Sequence, residues 1–285
     1  MNVAVVGAGT MGAGIAHVCL AADHRVTLHD ARAEAAVAAR SVVEASVARA
    51  AAKDRLGGRD PETLTGRLAV RSDAVEDAVS DAEVVIEAVV EDPELKARLW
   101  TVVGGAAPAT ALLCTNTSSL SVTALASASG RPDRFCGLHF FNPVTALPLV
   151  EVVRGETTPD ATVREAERFA EGLGKTPVRC EDRPGFLVNR LLIPYLNEAA
   201  QLADEGAADA ASIDTALRLG ASMPMGPLAL ADLIGLDVVL AVMESLHDEF
   251  GDPRYRPAPM LRRMVRAGRL GRKSGRGFHD YGGEA

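Results

Sequence analysis

Aromatic residues are scarce: Phe, Tyr and Trp together make up 4% of the 285 residues. The core must therefore be built from aliphatic side chains and close backbone approach, with Ala and Gly filling in for rings. Cysteine is sparse too. Cys19, Cys114, Cys136 and Cys180 are widely separated, with no C-x-x-C pair, which excludes a disulfide framework and a zinc motif and predicts buried free thiols. No metal site is expected. No run approaches the ~18 apolar residues that would span a bilayer. The Met1-Asn2 start lacks the basic stretch and cleavage site of a secretory leader. These absences predict a cytoplasmic chain without membrane contact. Positive charge is also in deficit, with 30 Lys and Arg against 38 Asp and Glu, a formal net charge of −8. That is a poor match to nucleic acid, where a basic patch supplies most of the affinity. It still leaves room for a small anion held by a few local cations.

What is present is apolar patterning: 48% of residues are hydrophobic, enough for one large domain or two modest ones without staples. Short apolar runs alternate with helical segments through the first part of the chain. Strands are expected at 3–6, 25–29, 68–70, 83–90, 112–115, 134–139, 149–153 and 176–180. Helices are expected at 13–22, 33–53, 74–79, 93–103, 121–128 and 162–173, with a break at 56–61. Such alternation predicts βαβ crossovers and a mainly parallel, doubly wound sheet. After Asp182-Arg183-Pro184-Gly185 the strands stop, and helices are expected at 187–203, 211–219, 228–250 (broken near Ile234-Gly235) and 259–267. The predicted organisation is an α/β domain over 1–182 and an all-helical domain over 183–285.

Gly7-x-Gly9-x-x-Gly12 directly follows the first strand and opens a helix. Glycines in that spacing allow a tight turn, close approach to a pyrophosphate and tight packing of helix on strand. Thr10 and Met11 complete the turn, and the helix N-terminus offers N–H donors to phosphate. Asp30 ends the second strand, where an acid would bind a ribose 2′-hydroxyl. It favours NAD over NADP, because a 2′-phosphate would meet a carboxylate, although Arg32 two residues on pulls the other way.

Two polar clusters follow later strands: Asn116-Thr117-Ser118-Ser119 and His139-Phe140-Phe141-Asn142-Pro143. Ligands of doubly wound sheets bind beyond the carboxyl ends of strands, which places both clusters near a nicotinamide. Glu151 sits in an otherwise apolar strand, where a carboxylate is costly unless paired. His139 is its expected partner, and a His oriented by a buried Glu suits proton transfer near neutral pH. Taken singly, such a His is most often structural, such a Glu most often sits on an exposed edge, and a Ser/Thr run most often caps a helix. On a dinucleotide fold they gain weight together.

The string Gly137-Leu-His139-Phe-Phe-Asn142-Pro143, with Asn116-Thr-Ser118-Ser before it and Leu149-Val-Glu151-Val after it, resembles the L-3-hydroxyacyl-CoA dehydrogenase family, which includes 3-hydroxybutyryl-CoA dehydrogenases. Pro184-Gly-Phe-Leu-Val-Asn189-Arg190, Met225-Gly-Pro227 with Asp232-Leu-Ile-Gly-Leu-Asp237, and Gly271-Arg-Lys273-Ser-Gly-Arg-Gly-Phe278 extend the resemblance along the whole chain. It implies a Rossmann-type domain followed by an all-helical one. It also implies NAD-dependent interconversion of a 3-hydroxyacyl thioester, of short chain, and its 3-oxoacyl form. By motif, His139 is the implied base and Glu151 its partner. Ser118 contacts the substrate hydroxyl and the nicotinamide, and Asn189 the thioester carbonyl. Glu91, Lys96, Asn142 and Lys273 are implied cofactor contacts, and Ser46 and Lys53 contacts to the coenzyme A portion. The helical domain is implied to close over the cleft and form a homodimer.

Two departures keep other handles open. Leu147-Pro148 stands where the family commonly has Met-Lys, and Ala50-Ala51-Ala52 thins the basic stretch before Lys53. The same chemistry on a hydroxyacyl group tethered to acyl carrier protein, or oxidation of a free hydroxy or sugar acid, fits these departures. A non-catalytic NAD-binding protein is the reading of a different class. Retention of Ser118, His139, Glu151 and Asn189 argues against it.

Overall fold

The computed structural model describes residues 1–282, in two compact units: Met1–Arg183 and the chain from Pro184 onward. The first unit holds one eight-stranded sheet in the order β3-β2-β1-β4-β5-β6-β7-β8. The strands are β1 (Asn2–Val6), β2 (Arg25–His29), β3 (Leu68–Arg71), β4 (Val84–Glu87), β5 (Leu112–Thr115), β6 (Phe135–Phe140), β7 (Leu149–Arg154) and β8 (Thr176–Glu181). Its helices are α1 (Thr10–Ala21), α2 (Ala33–Ala52), α3 (Pro61–Thr65), α4 (Val75–Val79), α5 (Pro93–Ala106), α6 (Val122–Ala128) and α7 (Asp160–Gly172). Central strands β4, β5 and β6 are buried at every position, which is why their sequences run apolar without alternation. β8 is the exposed edge, and Pro177 is tolerated there because an edge strand need not donate on both sides.

Strand order reverses between β1 and β4, and the helix faces follow simple periodicity. α2 buries Ala36, Ala39, Val43 and Val47, and α7 buries Val163, Ala166 and Ala170, three or four residues apart. Asp92 starts α5 by accepting the Leu95 N–H at 2.8 Å, with Pro93 in the first helical position. All four cysteines are buried free thiols.

Two expectations are corrected. The strand expected at 83–90 is only Val84–Glu87. Its ladder ends when the Ala88 N–H donates to Val6 O at 2.7 Å and the Val89 N–H turns to the Glu87 carboxylate at 2.9 Å, so Val90 emerges 69% exposed. The sheet is mainly parallel, as expected; the exception is β7, which runs antiparallel to β6, with β8 parallel to β7. The link 141–148 is too short for a crossover helix, so β7 can only double back. The break at 56–61 also runs into a short helix, α3, capped by Asp60, whose carboxylate accepts the Thr63 N–H at 2.8 Å.

The second unit is helical: α8 (Val188–Asp204), α9 (Ala210–Gly220), α10 (Pro227–Ile234), α11 (Leu236–Phe250) and α12 (Pro259–Arg266). Its core gathers Ile193, Leu196, Leu228, Leu236, Met243 and Leu261. Asp232, 1% exposed, fastens the C-terminal segment by accepting the Phe278 and His279 N–H groups, each at 2.9 Å, and the Tyr281 hydroxyl at 3.1 Å. Substituting Asp232→Ala leaves two main-chain donors without their acceptor. The substitution is expected to cost about 2–3 kcal/mol, read from the urea midpoint of unfolding.

Candidate active site

The site begins where the strand order reverses, because a crevice opens there beyond the carboxyl ends of β1 and β4. Gly7 turns the chain with φ of +107°, and a β-carbon on it would lie 2.5 Å from Ala88 O. A β-carbon on Gly12 would lie 1.7 Å from Gly7 O, so α1 can approach β1 only without a side chain there. Gly9 meets nothing within 4 Å and, with Thr10, is exposed at the mouth of the turn. No side chain caps α1, so its first-turn N–H groups are available to phosphate. Asp30 reaches back to this turn: its carboxylate accepts the Ala8 and Arg32 N–H groups, both at 3.0 Å. Burial raises its pKa, but those bonds and the Arg32 charge outweigh burial and hold it below the ordinary value. An ionised acid beside an open glycine turn fits a dinucleotide's ribose and pyrophosphate.

Two systems of buried carboxylates stand further along the sheet. Glu87, at the end of β4, accepts from Lys96 Nζ at 2.7 Å and from the Thr115 hydroxyl at 2.7 Å. Lys96 and Glu87 are each 1% exposed, and Lys96 also reaches Glu91 at 3.0 Å. Glu91 in turn accepts the Thr117 hydroxyl at 2.6 Å and the Ser118 and Ser119 N–H groups at 2.8 and 3.0 Å. Burial pushes the Glu91 carboxyl up, but the Lys96 charge and these hydrogen bonds hold it below the usual range. Glu91 therefore holds the Ser118 loop, and Lys96 holds Glu91 with its ammonium wholly enclosed. Ser121, two residues beyond the 116–119 cluster, caps α6 by accepting the Ala124 N–H at 3.2 Å.

The second system joins β6 to β7. The antiparallel register places Glu151 directly opposite His139, and His139 Nδ1 lies 2.7 Å from Glu151 Oε2. Both side chains are buried, at 7% and 1% exposure. Facing an ionised carboxylate, Nδ1 carries the proton, and that tautomer has its lone pair on Nε2. The Phe141 ring lies against the imidazole with centroids 4.5 Å apart. Asn116 ties the two polar clusters together by accepting the Phe140 N–H at 2.8 Å.

Ser46 and Lys53, both on or at the end of α2, line one cavity of about 480 Å³. His17, Arg49, Arg55, Arg59 and Lys175 line it as well. Four of these cations, Arg49, Lys53, Arg55 and Arg59, fall within residues 49–59, diluted there by Ala50-Ala51-Ala52 and Gly57-Gly58, and the fold adds Lys175 from far along the chain. Burial, reinforced by the positive charges of Lys175 and Arg49, lowers the His17 pKa from 6.5 to about 4.

In the second unit, Asn189 lies in the first turn of α8. Lys273, in a short 3-10 turn, donates to Asp237 at 2.6 Å. Asn142 is exposed on the β6–β7 link. Among the described residues, no group of three or more His, Cys, Asp or Glu could hold a metal ion.

Residues 2–183 match the NAD-binding domain of 3-hydroxyacyl-CoA dehydrogenase, and residues 185–281 match its C-terminal domain. The chain belongs to the 3-hydroxyacyl-CoA dehydrogenase family. A probable 3-hydroxybutyryl-CoA dehydrogenase of Deinococcus radiodurans is 48% identical over 99% of this chain and 100% of its own. The human mitochondrial hydroxyacyl-coenzyme A dehydrogenase is 39% identical over 98% of this chain and 91% of its own. The crystal structure of (S)-3-hydroxybutyryl-CoA dehydrogenase from Ralstonia eutropha superposes with a TM-score of 0.93 at 43% identity, covering 98% of each chain. The protein is accordingly an NAD-dependent oxidoreductase.

Two outcomes follow from these arrangements. Lys96→Met leaves the Glu87 carboxylate buried beside a neutral side chain and is expected to cost about 3 kcal/mol by urea unfolding. Lys96→Met with Glu87→Gln should recover part of that loss. His17 is held neutral when folded, so the stability it contributes is complete above pH 6.5 and is lost as pH falls toward 4. Replacing it, as His17→Gln, should flatten the decline of the urea midpoint between pH 7 and 4.5.

Proposed function

We propose that the protein interconverts a short-chain 3-hydroxyacyl-CoA and its 3-oxoacyl form, with His139 as the proton-transfer group. The observation that carries this reading is the buried His139–Glu151 contact at 2.7 Å, beside the loop that presents Ser118. When bound, NAD supplies the nicotinamide that takes or returns a hydride at C3. In the oxidative direction His139 Nε2 accepts the proton of the C3 hydroxyl as the carbonyl forms. Glu151 stabilises the imidazolium through Nδ1, and in the reductive direction the imidazolium gives the proton back to the C3 oxygen. Ser118 orients that oxygen, its own main chain held by Glu91. Asn189 positions the thioester carbonyl.

On the cofactor side, the Gly7–Gly12 turn binds the pyrophosphate. Asp30 prefers an unphosphorylated ribose, so NAD is favoured over NADP, and Glu91, Asn142 and Lys273 complete the contacts. Lys96 acts there through Glu91. The handle is assigned to the cavity lined by Ser46, Arg49, Lys53, Arg55 and Arg59. Several cations in one cavity suit the phosphates of coenzyme A, which an acyl group without a nucleotide would leave unused. The helical unit shows Leu191 and Leu219 at 77% and 76% exposure, and Leu233 at 50%, which supports a homodimer through that unit. Buried free thiols suit a reducing cytoplasm.

The test is oxidation of NADH by acetoacetyl-CoA. The parent protein should turn over, and His139→Ala should lower kcat by about 10²–10⁴-fold. Glu151→Gln should lower it by about 10²-fold or more while NAD affinity stays near the parent's. Absence of turnover with every 3-oxoacyl-CoA, by folded protein that binds NAD, would refute the substrate assignment.

A further inference from the structure

The link 141–148 carries Phe141, which touches the His139 ring, and Asn142, yet little of it is buried. Of the side chains from Asn142 to Pro148 only Val144 is enclosed, at 3% exposure. It seats on Gly14 of α1, where a β-carbon would come within 2.9 Å of it. A segment so poor in apolar anchorage depends on its main-chain bonds. Two are internal, from the Ala146 and Leu147 N–H groups to Pro143 O, each at 3.0 Å. Two more come from one distant side chain. Lys175 Nζ donates to Val144 O and, at 2.8 Å, to Leu147 O, bracketing Thr145 and Ala146.

Lys175 stands at the turn between α7 and β8, and that turn is itself secured. Its own N–H donates to Ala170 O at 3.0 Å, and the next N–H, from Thr176, donates to Pro148 O at 2.8 Å. The same side chain lines the cationic cavity, together with His17, Arg49, Lys53 and, from the link, Thr145. One wall of the cavity and the loop beside the catalytic pair thus share an ammonium group.

We propose that Lys175 is a positioning residue: it clamps the 143–147 turn so that Phe141 and Asn142 are set beside His139, and through its place in the cavity it joins the handle-binding wall to the catalytic loop. The proposal rests on the assignment of that cavity to the coenzyme A handle. The β6–β7 pairing secures His139 and Glu151 without Lys175. What Lys175 controls is the loop that runs between them.

The test compares acetoacetyl-CoA with the acetoacetyl thioester of N-acetylcysteamine, which lacks the nucleotide. A residue that only lines the handle cavity affects the first substrate alone, and chiefly its KM. A loop clamp affects kcat on both. Lys175→Met keeps the aliphatic stem and removes the donors. It is expected to lower kcat about tenfold on both thioesters, since small displacements near reacting groups have effects of at least this order. Lys175→Arg, which keeps charge and donors, is expected to return kcat to within about threefold of the parent. Amide hydrogen exchange over residues 142–148 should accelerate in Lys175→Met and stay near the parent rate in Lys175→Arg. Lys175→Ala, which also lacks donors, carries the same comparisons if Lys175→Met does not fold. A change confined to KM for the CoA thioester, or exchange over 142–148 equal to the parent's, would overturn the proposal. If the parent turns over neither thioester, the substrate reading fails, and the exchange comparison still decides the role of Lys175.

Discussion

A carboxylate buried in an apolar strand must find a charge or a donor, and in this protein that requirement bears on the direction of a strand. Glu151 is 1% exposed in β7, and its partner, His139, is in β6. Directly opposed residues of an antiparallel pair bring their β-carbons to about 4.5–5.5 Å, within reach of a side-chain hydrogen bond. The short link 141–148 makes β7 double back, and the register then sets the two side chains opposite each other. An imidazole so held has one tautomer and one orientation, which are the properties a proton-transfer group needs. The departure from a wholly parallel sheet and the chemistry of the site are thus one feature.

The acid at Glu87 is handled differently. It shares an enclosed ammonium with Glu91, and Glu91 spends its remaining capacity on Thr117, Ser118 and Ser119. This chain of charge-assisted bonds ties the end of β4 to the loop after its neighbour β5, on one side of the crevice. Lys96 therefore acts as an anchor for the loop that carries Ser118. Lys96 is the member that cannot be spared: without it Glu87 stays buried with no opposite charge, whereas loss of either carboxylate leaves Lys96 its other partner.

Much of this was legible in the residues. β2, the bounds of α2 and the start of α5 follow from apolar spacing and from Asp92-Pro93, signals that act within a few residues. The glycine turn, Asp30 and the His139–Glu151 pairing were legible because each rests on a local necessity: a backbone that must turn, or a carboxylate that cannot stay alone. The early end of β4 was hidden, since Ala88-Val89-Val90 are as apolar as the strand before them, and only the stop of the neighbouring β1 ladder at Gly7 decides where pairing ends. α3 was hidden by Gly57 and Gly58, which dominate the local pattern although Asp60-Pro61 already signals a helix start. The reversal of β7 was present in the length of the link 141–148, a quantity that periodicity does not weigh.

The cationic cavity was the least legible part. Arg49 and Lys53 sit four residues apart on α2 or at its end, Arg55 and Arg59 follow in the link, and Lys175 arrives from beyond α7. No window of sequence contains them all, and the formal charge of −8 points the other way. The conflict dissolves with distance. Exposed charges separated by more than about 8–10 Å are largely screened at physiological salt, so acids spread over the rest of the surface contribute little inside one cavity. Within it burial first, and then the nearby charges of Lys175 and Arg49, keep His17 neutral well below its ordinary range. Net charge describes how this protein meets a distant polyanion. The local field, assembled by the fold from residues 49–59 and the distant Lys175, describes how it holds a phosphate once one has arrived.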